Sequence, residues 1–365
     1  MRQLLQFILL KPVLWAASKF ASQPDPERIF KALSDLQDAI LEAPGLKGPL
    51  IETEISNDNF IVFSDQHRGA KNRADDFMDA EPNYLRALEY YNEQGFILIS
   101  LGDAEELWEN SLSAVKKHNT LTFEAEKLFI ERDAYFKVFG NHDLFWANDP
   151  FAAWQLKRIY GRDIKIYEGV ILKMKTENKP FRFFLTHGHQ GDRASDGNWF
   201  SKFFVANIWA PLQAYLRINP NTPAYDEAVK TKHNRIMYEW SATQKNGCLI
   251  TGHTHQPVFA SLTHYERLQR ELDMARQNQA MEKIKSIEEK IRNREQVHDS
   301  STFGVSKTLP GYFNSGCCCF SDGDITGIEI ARGAISLVKW ETEKGKSVRK
   351  LLETKPVSEL QQQLT

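Results

Sequence analysis

Six of the chain's ten histidines stand where a short hydrophobic run ends, and Asp65, Asp103, Asn141 and Asp143 stand at stops of the same kind. The stops are Asp65-Gln66-His67, Gly102-Asp103, Gly140-Asn141-His142-Asp143, His187-Gly188-His189 and Gly252-His253-Thr254-His255. Asp, Asn and His are ligand types for hard or borderline divalent metals. The inventory is large enough for two ions. Two ions about 3.5–4 Å apart can clamp a phosphoryl group and make a water molecule nucleophilic at neutral pH. Such a site needs a carboxylate that bridges both ions and an open coordination position. It also needs a hydrogen-bonding or cationic group for the departing oxygen. A single His after a strand is more often a packed core residue, and a single Asp there is usually a helix N-cap. Capping does not explain five such stops, two of them with histidines at i and i+2.

The elements that must position these residues are legible around them. The runs 60–64, 96–101, 135–139, 182–186 and 248–251 have the length and the β-branched or aromatic content of buried strands. Sites in open α/β sheets form past the carboxyl ends of strands, so distant stops can converge. Helical stretches over 75–94, 104–134 and 149–160 separate the first stops, which predicts a layered α/β fold. Residues 164–167 and 170–174 read as an extra strand pair. An amphipathic helix covers 24–48 and closes at Ala43-Pro44-Gly45. Three β-type runs, 312–320, 325–331 and 334–341, are joined by the hairpin signals Ser321-Asp322-Gly323-Asp324 and Arg332-Gly333. The expected organisation is an N-terminal helical segment over 1–50, a main domain over 51–345 and a polar, mobile tail over 346–365.

Two segments interrupt the alternation. Residues 190–246 are rich in aromatic and basic side chains, among them Trp199, Phe203, Trp209, Arg217, Lys230 and Trp240. They read either as an insert with its own small core or as a cap that shapes a substrate pocket. Residues 262–298 form a charged helical pattern with a thin apolar stripe of Leu268, Leu272, Ala275, Ile284, Ile287 and Ile291. This reads as a solvated protruding helix or helical hairpin.

The net charge of −2 supplies no global positive field and argues against a nucleic-acid partner. The four cysteines, Cys248 and Cys317-Cys318-Cys319, lack the spacing of zinc or redox motifs and read as reduced, buried thiols. In an extended run Cys317 and Cys319 share one face and Cys318 takes the other. Near the N-terminus, the apolar residues 4–10 and 13–17 are split by Lys11-Pro12 and are too short to span a bilayer. They read as a helix packed on the domain, as an interfacial helix with Arg2, Lys11, Trp15 and Lys19 at the headgroups, or as a signal segment.

Taken together, over about residues 58–258, the motifs and their order resemble the calcineurin-like metallophosphoesterase superfamily. The resemblance implies an αββα sandwich, with the 190–246 cap and the 262–298 helical insertion added to it. It implies one ion held by Asp65, His67, Asp103 and His255, and a second held by Asp103, Asn141, His187 and His253. Asp103 would be the bridge. His142 would face the phosphoryl oxygens and protonate the leaving oxygen, oriented by Glu106. Without the resemblance, Glu106 reads as an acid in the first turn of a helix, and His189 as a substrate contact or a structural hydrogen bond. The ions implied are divalent, manganese first, with iron or zinc as alternatives. The activity implied is hydrolysis of a phosphate ester or pyrophosphate bond; the alternatives are a silent scaffold for a protein partner and a nuclease.

Leu101-Gly102-Asp103-Ala104-Glu105-Glu106-Leu107-Trp108 is similar to the bridging-Asp segment of the UDP-2,3-diacylglucosamine pyrophosphohydrolase branch. That similarity implies a phosphorylated small molecule or lipid-linked nucleotide as substrate. That branch acts at a membrane surface, which the apolar N-terminus would suit; with the reduced thiols, the expected location is the cytoplasm, with peripheral contact on the inner face of a membrane. His142 departs from the branch, which carries Arg there, and so does the 262–298 insertion.

Overall fold

The computed structural model describes residues 24–54, 57–72, 75–175, 180–191, 223–263, helical positions between 268 and 288, and 309–365. In chain order the elements are α1 (Pro26–Glu42), β1 (Leu50–Thr53), β2 (Phe60–Phe63), α2 (Glu81–Glu93), β3 (Ile97–Leu101), α3 (Leu112–His118), α4 (Thr120–Glu131) and β4 (Tyr135–Val138). Then come α5 (Phe145–Asn148), α6 (Ala152–Tyr160), β5 (Ile166–Tyr167), β6 (Gly169–Met174), β7 (Phe181–Thr186), α7 (Pro223–Thr243), β8 (Gly247–Thr251), β9 (Val258–Phe259) and β10 (Leu262–Thr263). The last are β11 (Tyr312–Asn314), β12 (Ile325–Ala331), β13 (Ala334–Glu343), β14 (Lys346–Pro356) and α8 (Val357–Leu364).

All five hydrophobic runs are strands, and they fall into two mixed sheets. One sheet has the order β1-β6-β7-β8-β11-β9-β10 and the other β14-β13-β12-β2-β3-β4-β5. Within them β2, β3 and β4 are parallel neighbours, and so are β7 and β8. Apolar side chains of both sheets meet in one core, with Val62, Ile99 and Val138 from one and Leu172, Phe183 and Ile250 from the other. Helices cover both outer faces, which gives the expected αββα layering. On one face α1 presents Ile29, Leu33, Leu36 and Ile40 at helical spacing to Ile171, Phe184 and Leu249. Its start is fixed by Asp25, whose side chain accepts from the N–H groups of Glu27 and Arg28. On the other face Tyr84, Leu88 and Tyr91 of α2 pack on Ile61, Phe63 and Leu98.

Four expectations are corrected. The strand pair at 164–174 is not a pair: β5 joins β4 in one sheet, while β6 lies between β1 and β7 in the other. The helix over 104–134 begins only at Leu112, where Ser111 caps it, and breaks again at Asn119. The first of the three late β-runs stops at Asn314, because Gly316 turns the chain at φ +76°. The polar tail is structured. β14 pairs with β13 along its whole length, and α8 buries Val357, Leu360 and Leu364 in the core between the sheets.

Of the 190–246 insert, residues 192–222 lie outside the described residues, with Trp199, Phe203, Trp209 and Arg217 among them. Its later part is α7, which packs on the sheet through Ile236, Met237 and Trp240, so Trp240 belongs to the core and not to a cap. Residues 1–23 also lie outside the description. The described positions between 268 and 288 are helical and bury Leu268, Leu272, Ala275 and Ile287 in a small cluster of their own. No helix among the described residues is long and apolar enough to cross a membrane.

Candidate metal centre

Past its last strand residue each site segment is stitched to another by backbone hydrogen bonds. The Asp65 N–H donates to Gly102 O at 3.0 Å, that of His67 to Asp103 O at 2.9 Å, and that of Arg68 to Ala104 O at 3.0 Å. The Gly252 N–H donates to His187 O at 3.0 Å, and the Cys318 N–H to Asp65 O at 3.1 Å. Asp143, given no role from sequence, joins two loops: its carboxylate accepts from the N–H of Ala104 at 2.9 Å and of Gly140 at 2.5 Å. Glycine permits the closest approaches. A Cβ on Gly140 would collide with Asp103 Oδ1, and one on Gly252 with Ser64 Oγ and Asp65 Oδ2.

The stitching forces an uncommon backbone. Asp65 (φ 53°), His67 (50°), Asp103 (50°), His253 (68°) and His255 (57°) all occupy the left-handed region, which residues other than glycine rarely adopt. Such strain persists where the surroundings over-determine it, and it clusters at functional sites.

These turns aim the side chains at one place. Asp103 Oδ2 lies 3.1 Å from His187 Nε2 and 3.7 Å from His67 Nε2. Asp65 Oδ1 lies 3.3 Å from His255 Nε2 and 3.9 Å from both His67 Nε2 and His187 Nε2. His67 Nε2 and His255 Nε2 are 3.1 Å apart, and the rings of His187 and His253 are 5.2 Å apart. The potential donor atoms of Asp103, His187 and His253 lie within 4.8 Å of one another. Asn141 is buried, and its Oδ1 has no hydrogen-bond partner among the described residues. A buried amide oxygen left unpaired is costly, and a cation would satisfy it. The donor set of imidazole nitrogens, carboxylates and an amide oxygen fits divalent manganese, iron or zinc.

Beside this group lies a different pair. Glu106 Oε2 lies 2.6 Å from His142 Nδ1 and 3.1 Å from His67 Nδ1. Glu106 thus sits behind both His67 and His142, and it stands in a loop, not in a helix's first turn. Burial opposes charge on His142, yet Glu106 and Asp103 raise its pKa to about 9. Against its own burial, Glu106 is pulled down to about 2 by His142 and His67. Against burial too, His187 and His142 hold the Asp103 carboxyl well below the usual carboxylate range. His189 is buried against the His187 and Phe139 rings, and burial with the His187 charge brings it down to about 3.

Sequence reasoning missed Trp108, which stacks on His142 with ring centroids 4.4 Å apart at 18°. It also missed His233, whose Nε2 lies 2.8 Å from Gly188 O and whose ring is 5.0 Å from that of His253. Nothing local marks either residue, since each acts through partners distant in the chain.

An αββα sandwich with such a constellation past its parallel strands is the framework of a metal-dependent phosphoesterase. The chain belongs to the calcineurin-like phosphoesterase family, whose sequence model matches residues 59–257. No curated protein matches the chain. Among solved structures it is similar to vacuolar protein sorting 29 from Cryptosporidium parvum, with 12% identity over 82% of this chain and 98% of that one and a TM-score of 0.31. It is also similar to a single mutant of Vps29 from Entamoeba histolytica, with 14% identity over 81% and 99% and a TM-score of 0.28.

Proposed function

We propose that this chain hydrolyses a phosphate ester or pyrophosphate bond with water at a dinuclear metal centre. The observation that carries the reading is the Asp103 carboxylate, set between His187 at 3.1 Å and His67 at 3.7 Å, where a bridging ligand is needed. Asp65, His67, Asp103 and His255 would hold one ion, and Asp103, Asn141, His187 and His253 the other. Bound there, the ions, manganese first, would supply Lewis acidity and an activated water. Against burial, the Glu106 carboxylate favours the protonated form of His142. Its Nδ1 is engaged by Glu106, so Nε2 is free to protonate the leaving oxygen. Glu106 fixes the ring through one edge and Trp108 through one face.

The substrate class we favour is a lipid-linked nucleotide, met by a protein peripheral to a membrane. Three features support it: the similarity around Asp103, the indole beside His142 as a surface for an apolar or stacked group, and the apolar stretch near the N-terminus. The test is turnover by purified, manganese-loaded protein of a panel of phosphomonoesters, phosphodiesters and nucleotide-diphosphate lipids, with Asp103→Asn as control. Turnover that Asp103→Asn abolishes, together with metal binding, supports the reading. No turnover of any substrate by the metal-loaded chain would leave the scaffold reading in its place.

A further inference from the structure

Three consecutive cysteines follow the turn at Gly316, and all three are buried free thiols. Cys318 enters the outer core with Ile325 and Val338. Cys317 and Cys319 turn the other way: the Cys319 Sγ lies 3.8 Å from His255 Nδ1, within reach of a hydrogen bond to sulfur, and the Cys317 thiol, hydrogen-bonded to Cys319, stands beside the same ring. The opposite nitrogen of that ring, Nε2, is the one 3.3 Å from Asp65 Oδ1 and 3.1 Å from His67 Nε2. The His255 ring therefore stands between the metal-site side chains and a sulfur. The bond from the Cys318 N–H to Asp65 O holds the cysteine segment against the same group.

A metal-ligating histidine almost always gives its other N–H to a carboxylate, a backbone carbonyl or water, which fixes the ring and raises its basicity. Two histidines of the centre follow that rule: His67 Nδ1 faces Glu106, and His187 Nδ1 lies 2.9 Å from Leu101 O. His255 faces sulfur instead, with Cys319 Sγ at its Nδ1 and Cys317 beside the same ring. We propose that Cys319 is the outer partner of His255, and that retention of the ion at Asp65, His67 and His255 depends on its free sulfur. This rests on the metal-centre reading above. Cys319 is thus a positioning residue, acting on the ion through His255. By reciprocity, metal should protect the sulfur as much as the sulfur retains the metal.

The test compares manganese content and affinity in the full chain, in Cys319→Ala and in Cys319→Ser, by elemental analysis and titration. Cys319→Ala should weaken one of two ions by roughly 10- to 100-fold and spare the other. Cys319→Ser should recover part of that loss, because its hydroxyl accepts the same N–H. The melting temperature of the metal-free protein should be alike in all three. On the unsubstituted chain, metal should slow alkylation of Cys319 by iodoacetamide, in which the sulfur bonds to carbon, iodide leaves and the thiol proton goes to solvent.

Unchanged affinity in Cys319→Ala, equal losses in Ala and Ser, or alkylation indifferent to metal would each overturn the proposal. So would a sulfur-to-cobalt charge-transfer band in the cobalt-loaded chain that Cys319→Ser removes. The donors of His67, His255 and Cys319 lie within 4.8 Å of one another, and that band would make the sulfur a direct ligand. A wild-type chain that binds no ion fails the metal-centre reading itself, and this inference with it. Two ions bound with no effect of Cys319 fails this inference alone.

Discussion

Behind the site loops of β2, β3 and β4 lie charged side chains; behind those of β7 and β8 lie amides, hydroxyls and carbonyls. On the first side Arg68, Glu105, Glu126 and Lys137 are all fully buried. Arg68 pairs with Glu105 at 2.7 Å and with Glu126 at 2.9 Å, and Lys137 with Glu105 at 2.8 Å. Trp146 and Tyr160 donate to the two glutamates. On the second side Asn314 donates to Gly252 O at 2.7 Å, while Thr254 and Tyr312 donate to Asn234 Oδ1 at 3.0 and 2.7 Å. Both arrangements hold left-handed site residues in place, but they fail differently. Removing one member of a buried charge network strands its partners in low dielectric, whereas removing a neutral partner leaves one dipole unpaired. The charged side is also where the candidate acid sits, with a carboxylate of its own.

The largest effect should come from Glu105→Ala, which strands Lys137 and removes one of the two carboxylates of Arg68. Denaturant unfolding of the metal-free chain should show a loss of about 3–5 kcal/mol. A loss below about 1 kcal/mol would mean that water or relaxation screens the network.

His142→Ala should cost roughly 100-fold in rate, about 2.7 kcal/mol, with both ions retained by elemental analysis. An emptied metal position would make His142 a ligand and blur the difference between the halves.

On the neutral side Asn314→Ala should cost about 1–3 kcal/mol in the same unfolding assay. A loss equal to that of Glu105→Ala would break the comparison.

The smallest effect concerns pH. His142 is raised from 6.5 to about 9, so its contribution to stability is complete below 6.5 and is lost as pH rises through about 9. Glu106 is lowered from 4.5 to about 2, so its contribution is complete above 4.5 and is lost as pH falls through about 2. The pair should therefore stabilise the metal-free protein most between about pH 4.5 and 6.5. Glu106→Gln should flatten both limbs of a melting-temperature profile. An unchanged profile would show that the pair does not couple folding to protons.

Local pattern made some elements legible and hid others. β2, β3, β4, β7 and β8 were readable because each is an apolar run ended by glycine or a polar stop, and α1 because its apolar residues recur at helical spacing. β14 was not readable. It is an edge strand carrying Lys346, Arg349, Lys350, Glu353 and Lys355, and such charge reads as a solvated tail although it suits a strand with one free edge. α8 was missed because three apolar residues in eight give too short a signal. The split of β5 from β6 was invisible, since nothing in 164–174 says that the chain changes sheets near Glu168.

By itself the sequence determined which residues stand at the strand ends and, through their order, the family. Only the tertiary structure decided what each histidine can do. His142 faces Glu106, His187 faces Leu101 O, and His255 faces Cys319. These partners are 36, 86 and 64 positions away in the chain. A ring's charge and tautomer are set by the group behind it, and that group arrives only when the two sheets pack and their loops are stitched together. The left-handed turns at Asp65, His67, Asp103, His253 and His255 have the same origin: neighbouring loops impose them, and no local propensity would choose them.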